Sequence, residues 1–121
     1  MPNEWEINLT GYNINKFRYR ELKAKCYQYR DWQQIINSST ADKSVTAVCK
    51  TKTDKVEQAL AIAISTTLNN QSAELHKRIL KVITGQETFT KLQTYYEIKI
   101  SSKKYYALRR IFYYELDKLF D

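Results

Sequence analysis

The chain has 121 residues, a length for one domain, with 20 lysines and arginines against 13 acidic residues and a formal charge of +7. Its two glycines and single proline (Pro2) argue against sandwiches, barrels and hairpin-rich folds, and against the glycine-rich phosphate loops of nucleotide enzymes. With 43% hydrophobic and 27% charged residues, the composition predicts a soluble all-α protein, a small helical domain of about five helices. No apolar run is long enough to span a bilayer, so no membrane partner is expected. The opening MPNEWEINLTGYN has neither a basic start nor an apolar stretch, so no secretory signal is visible and a cytoplasmic location is expected. Cys26 and Cys49 fit no zinc spacing and are expected as free, partly buried thiols.

Residues 1–13 read as an arm that docks weakly or frays, with Trp5, Ile7 and Tyr12 as its anchors. From Ile14 to Ile36 no breaker occurs. There Tyr19, Leu22, Cys26, Tyr29, Trp32 and Ile36 recur at steps of three and four, which predicts one long helix with a single apolar stripe. Its other faces carry Lys16, Arg18, Arg20, Lys23, Lys25 and Arg30. The stripe has to be covered, by the rest of the domain in the plainer reading or by a second copy in a homodimer. The serine- and threonine-rich stretch 37–53 lacks a helical period and is expected as a loop.

These features divide the chain into residues 1–53, comprising arm, basic helix and loop, and a helical domain over 54–121. Asp54 is a plausible N-cap for a second helix reaching Leu68, with Val56, Ala59, Leu60, Ala63 and Ile64 inward. The β-branched residues of 61–67 make a strand the competing assignment, and the longer 3.6-residue period favours the helix. A third helix runs from Ser72 to Thr84, burying Leu75, Ile79, Val82 and Ile83, with Gly85 as its left-handed cap. Thr88 caps a short helix ending near Glu97, with Phe89 and Leu92 inward. After the turn Ile98-Lys99-Ile100, Ser101 caps a last helix to Phe120, whose inner stripe is Tyr105, Leu108, Phe112, Leu116 and Leu119 or Phe120.

The arrangement over 88–120 is that of a helix-turn-helix, whose second helix lies in the DNA major groove. Between Ile98 and Arg110 stand Lys99, Lys103, Lys104, Arg109 and Arg110 with no acidic residue, and from Ile111 onward the sign reverses. Cations on the front of that helix attract duplex phosphates by releasing counterions. A solvated helix face is the plainer alternative for any such cluster. Lys99 stands where many helix-turn-helix turns hold glycine, and Tyr95 where many hold a small residue, so the turn is built differently or the helices cross at another angle.

The segment ISSKKYYALRRIFYYELDKLF resembles the end of the ArpU and RinA families of phage-encoded transcriptional regulators. The resemblance rests on Ile100-Ser101 before the helix, Tyr105-Tyr106, the pair Arg109-Arg110, and the apolar Leu108, Phe112 and Leu116. It implies a C-terminal domain similar to region four of bacterial sigma factors, in a phage or prophage activator of late genes that binds double-stranded promoter DNA. Carried onto this chain, it implies that Ser102, Lys103, Lys104, Tyr106, Arg109 and Arg110 face DNA. Ser102 and Lys103 would lie nearest base edges, Lys104 and Arg109 would hold phosphates, and the Ser101 cap would offer backbone N–H groups to one. Arg110 is the expected source of specificity, arginine on guanine being the commonest base contact.

Catalysis is not expected, and no cofactor or metal. His76 is the single histidine and reads as a surface residue beside Lys77 and Arg78. Glu115 and Asp117 point to different helix faces and make no magnesium site. The rival function is a protein-binding module that engages host RNA polymerase or a repressor without touching DNA. An RNA-binding role is disfavoured because no exposed aromatic sheet is predicted.

Overall fold

Side-chain caps set most of the helix starts. The computed structural model describes residues 9–68, 72–95 and 100–120, and among them are six α-helices, one 3-10 turn (Thr10–Tyr12) and no strand. The helices are α1 (Lys16–Tyr27), α2 (Tyr29–Ile36), α3 (Lys43–Thr67), α4 (Ala73–Ile83), α5 (Phe89–Tyr95) and α6 (Ser102–Leu119). Asn15, Asp42, Ser72, Thr88 and Ser101 each accept, through a side-chain oxygen, a hydrogen bond from a backbone N–H of the first turn. These bonds satisfy donors that no helical carbonyl can reach. The all-α class is as the composition predicts.

The expected single helix over 14–36 is two. The chain tightens at Gln28, whose N–H bonds the carbonyl of Lys25, and α2 starts one residue later without a side-chain cap. The stripe survives the break: Tyr19, Leu22, Cys26, Tyr29 and Trp32 are buried and Ile36 is half-buried. Its cover is the chain's own core, since α2 packs along α3 and α1 lies against α6. Two of the basic residues of α1 are spent internally. Arg18 donates from Nε to Asp117 Oδ1 at 2.6 Å and from Nη2 to the carbonyl of Phe120. Lys25 and Lys55 lie over the Phe120 ring at 5.0 and 4.9 Å.

The loop expected over 37–53 is a correction. Only 37–42 connects; α3 starts at Lys43, capped by Asp42 rather than Asp54, and runs 25 residues, so the division drawn at 53/54 falls inside one helix. Serine and threonine disfavour helix interiors because their hydroxyls compete for backbone groups. Here Thr46, Thr51 and Thr53 turn their hydroxyls back onto carbonyls of the preceding turn. Cys49, Thr53 and Val56 continue the buried stripe at steps of four and three, and packing against α2 supplies the drive that composition lacks. The helix expected over 61–67 is present, with Ala63 and Ile64 buried.

Gly85 closes α4 as expected. Its φ is +79°, the Gln86 N–H bonds the carbonyl of Lys81, and its own N–H bonds that of Val82, the double bond of a Schellman cap. A Cβ at this position would fall 2.9 Å from Cε1 of the Tyr27 ring, which lies across the turn. Gly85→Ala therefore combines a left-handed alanine with a displaced ring. It is expected to cost about 2 kcal/mol, read as a fall in Tm of roughly 5–10 °C.

The core is one cluster centred on α3 and α6, which share the most extensive helix–helix packing in the fold. Both cysteines are free and buried, more deeply than expected, and burial pushes the Cys26 thiol up to about 12.

Candidate nucleic-acid interface

α6 decides which side chains can face a partner. Its buried residues are Tyr105, Leu108, Arg109, Phe112, Tyr113 and Leu116, with Phe120 following beyond the helix. This arc is wider than the predicted stripe because α3 lies behind the helix and α1 along one flank. Most of the support comes from α3 and α1 rather than from the short helix that precedes α6. α5 reaches only the start of α6, through Phe89 stacked on Tyr105 at 4.1 Å and 9°, and through Gln93 Nε2 donating to the Ile100 carbonyl at 2.8 Å. The residues 96–99 that would form the turn lie outside the described residues, as does Lys99 with them.

Opposite the buried arc, Lys103, Ala107, Arg110 and Tyr114 follow one another at steps of three and four. Lys103 and Lys104 are exposed and Arg110 is half-buried; among the described residues none of the three pairs with a carboxylate. Ser101 is spent on the cap, its Oγ accepting from the Lys104 N–H at 3.1 Å, and Ser102 is exposed beside it. At the other end of the outer face Tyr12 lies against Tyr114, ring centroids 5.4 Å apart, so the first turns are the open part.

Arg109 is a correction. It is 6% exposed, donates from Nη2 to the Tyr19 hydroxyl at 2.9 Å, and has the rings of Tyr105, Tyr106 and Tyr113 within 6 Å. It stands two places from Ala107 along the helix, on the flank covered by α1, and cannot hold a phosphate from there. Tyr106 is half-buried and packs on that same flank, off the outer line of Lys103 and Arg110. Tyr113 is a core residue whose phenol burial holds well above its ordinary range. The site is thus brought down to Lys103 and Arg110 on the outer line with Lys104 exposed beside it and the Ser101 cap at its head, while Ser102 lies on the flank of Tyr106 and Arg109.

The first turn of α6 contains no acidic residue. A helix N-terminus carries partial positive charge, so Lys103 and Lys104 there oppose the dipole by about 0.3–1 kcal/mol each. Downstream, the acidic side chains among the described residues are occupied: Asp117 by Arg18, and Glu115 by Lys118 Nζ at 2.7 Å. Sequence reasoning missed the side chains that shape the flank. Tyr27 and Glu87 meet Tyr106 and Arg109 around a cavity of about 720 Å³ under the start of α6, beside Phe89, which faces inward as expected. Gly85 was the one sequence signal of a close approach there.

No helix among the described residues is long and apolar enough to cross a membrane, and no group of three His, Cys, Asp or Glu residues is placed to hold a metal among them. His76 is half-buried on α4. No protein-family model matches the chain, and no curated protein or solved structure matches it.

Proposed function

We propose that this protein is a non-catalytic, sequence-specific DNA-binding regulator of phage or prophage transcription. It acts in the bacterial cytoplasm, activates late genes for packaging, morphogenesis or lysis, and reads promoter DNA with the first turns of α6. The carrying observation is electrostatic. Two lysines occupy the first turn of a helix whose dipole repels them, a third cation lies two turns on along the same open face, and all three lack a carboxylate among the described residues. Local rules of helix stability are broken without an internal gain, which is the mark of residues kept for an external anion. Duplex phosphate is that anion, with Lys104 and the backbone N–H groups at the helix start as phosphate contacts. Lys103 and Arg110 then face base edges. The resemblance of residues 100–120 to the ArpU and RinA regulators supports the transcriptional context.

Fluorescence anisotropy with a random-sequence 25-base-pair duplex, titrated from roughly 50 to 200 mM salt, tests this reading. Affinity is expected to fall steeply with salt, and Lys103→Ala or Lys104→Ala each to reduce the log–log slope by about 1. Duplex selection from a random pool is expected to return a consensus that Arg110→Ala relaxes at one position. Salt-independent binding, or slopes unmoved in both lysine variants, overturns the DNA assignment and favours a polymerase- or repressor-binding surface.

A further inference from the structure

We propose that the face of α3 carrying Val45, Val48, Lys52 and Lys55 is a docking surface for an acidic, amphipathic helix of a partner protein. These four residues follow one another at steps of three, four and three, which sets them on one line of the helix. The line has two parts. Val45 and Val48, one turn apart, are 47% and 54% exposed, and the half-buried Ile35 and Ile36 stand at the same end of the α2–α3 hairpin. Two turns on, Lys52 Nζ lies 5.4 Å from the centre of the Trp32 ring and Lys55 Nζ 4.9 Å from that of Phe120. Lys25 comes over the same Phe120 ring from α1, at 5.0 Å, and the two rings are 6.5 Å apart and 27° from parallel. Three ammonium groups are thus gathered over one aromatic pair.

None of the three lysines pairs with a carboxylate among the described residues. Acidic residues of the surrounding elements are engaged elsewhere, Asp54 with Lys50 and Asp117 with Arg18, and Glu57 lies beside Tyr29. A ring face attracts an ammonium but offers it no oxygen, so the N–H donors of the cluster stay open. Acidic groups therefore fit the lysines, and apolar groups fit the valines. A phosphate backbone meets the first demand and leaves the valines in water, which disfavours nucleic acid on this face. A second copy across a two-fold axis brings the same three lysines with it. A helix laid along α3 meets both demands with two apolar residues one turn apart and two carboxylates two turns further on. The surface includes Phe120, at the opposite end of α6 from Lys103 and Lys104, and does not depend on DNA binding there.

An NMR titration of the full ¹⁵N-labelled chain tests the inference. The probe is a capped, alanine- and glutamine-based helical peptide with two leucines one turn apart and two glutamates two turns on, made in both orders. Saturable one-to-one shifts are expected in amides of residues 45–59 and of Lys25 and Trp32, with a Kd of roughly 0.1–1 mM for at least one order. Glutamine in place of the peptide's glutamates is expected to weaken binding at least about fivefold. The double variant Lys52→Gln, Lys55→Gln is expected to weaken the glutamate peptide by a similar factor and to leave the glutamine peptide unchanged, with the helical CD spectrum preserved. Val48→Ser is expected to weaken both peptides at least about threefold. Lys103→Ala and Lys104→Ala are expected to leave peptide binding as it is, which separates this surface from the DNA-reading one. Absence of saturable shifts, or equal binding of the glutamate and glutamine peptides, overturns the inference. So do the same amides shifting with protein concentration alone, which marks a second copy, or with duplex DNA and neither peptide, which marks a nucleic acid.

Discussion

Phe112→Ala is expected to destabilise the fold by about 3–5 kcal/mol, the cost of removing a fully buried aromatic side chain and leaving its cavity. Phe112 is 0% exposed on the side of α6 that faces the core, and its ring meets Tyr113 edge-on at 5.1 Å and 72°. Domains of this size are stable by only about 5–15 kcal/mol, so the variant loses about a fifth or more of that margin. Val48→Ala, at a side chain 54% exposed on α3, is the matched control and is expected to stay within about 0.5 kcal/mol. Urea denaturation with unchanged m-value separates the two. A loss below about 1 kcal/mol for Phe112→Ala would show that α6 is not held against α3 as described.

Stability is expected to fall progressively as pH rises from 9 toward 11. The Cys26 thiol is pushed up to about 12 by burial, against an ordinary value of 9.0, with Arg109 opposing the shift only in part. In the unfolded chain the thiol loses its proton near 9, while in the fold it keeps it until about 12. The native state therefore binds more protons in this window, so stability is complete below pH 9 and falls as pH rises toward 12. At up to about 1.4 kcal/mol per unit, Cys26 alone removes about 2 kcal/mol between pH 9 and 11. Tyr29 moves in the same direction, its phenol also raised to about 12 by burial and then by Glu57. Denaturation free energies measured from pH 8 to 11 are expected to decline in the native chain and to decline less in Cys26→Ala. Parallel declines in the two proteins would remove Cys26 as the cause.

The elements that were legible in the sequence are those whose periodicity and caps agree. Ser72, Thr88 and Ser101 each precede an apolar period and each caps a helix, and Gly85 stands where a left-handed residue is needed. The first half of α3 was hidden because its threonines and serines read as loop chemistry, and what overrides that chemistry is burial of Cys49 and Thr53 in the core, α2 packing along the same helix. Arg109 was misplaced for a related reason. Its neighbours in sequence, Leu108 and Arg110, look inward and outward as expected, but Tyr19, the hydroxyl that accepts from Arg109, is 90 residues away. A one-helix pattern carries no record of which flank a distant helix covers. Lys103, Lys104 and Arg110 were legible because exposure on the open side of α6 depends on that helix alone.

The two halves of α6 have unequal footing. Its second half is fastened on several sides, by Phe112 and Leu116 in the core, by Arg18 on Asp117 and by the Phe120 ring between two lysines. Its first half borders the cavity and is held by Leu108 in the core, Arg109 on Tyr19 and the stack of Tyr105 on Phe89. The helix is thus built like a stylus gripped at one end. Lys103 and Lys104 stand at its exposed tip, so changing them leaves the grip, and with it the architecture, in place.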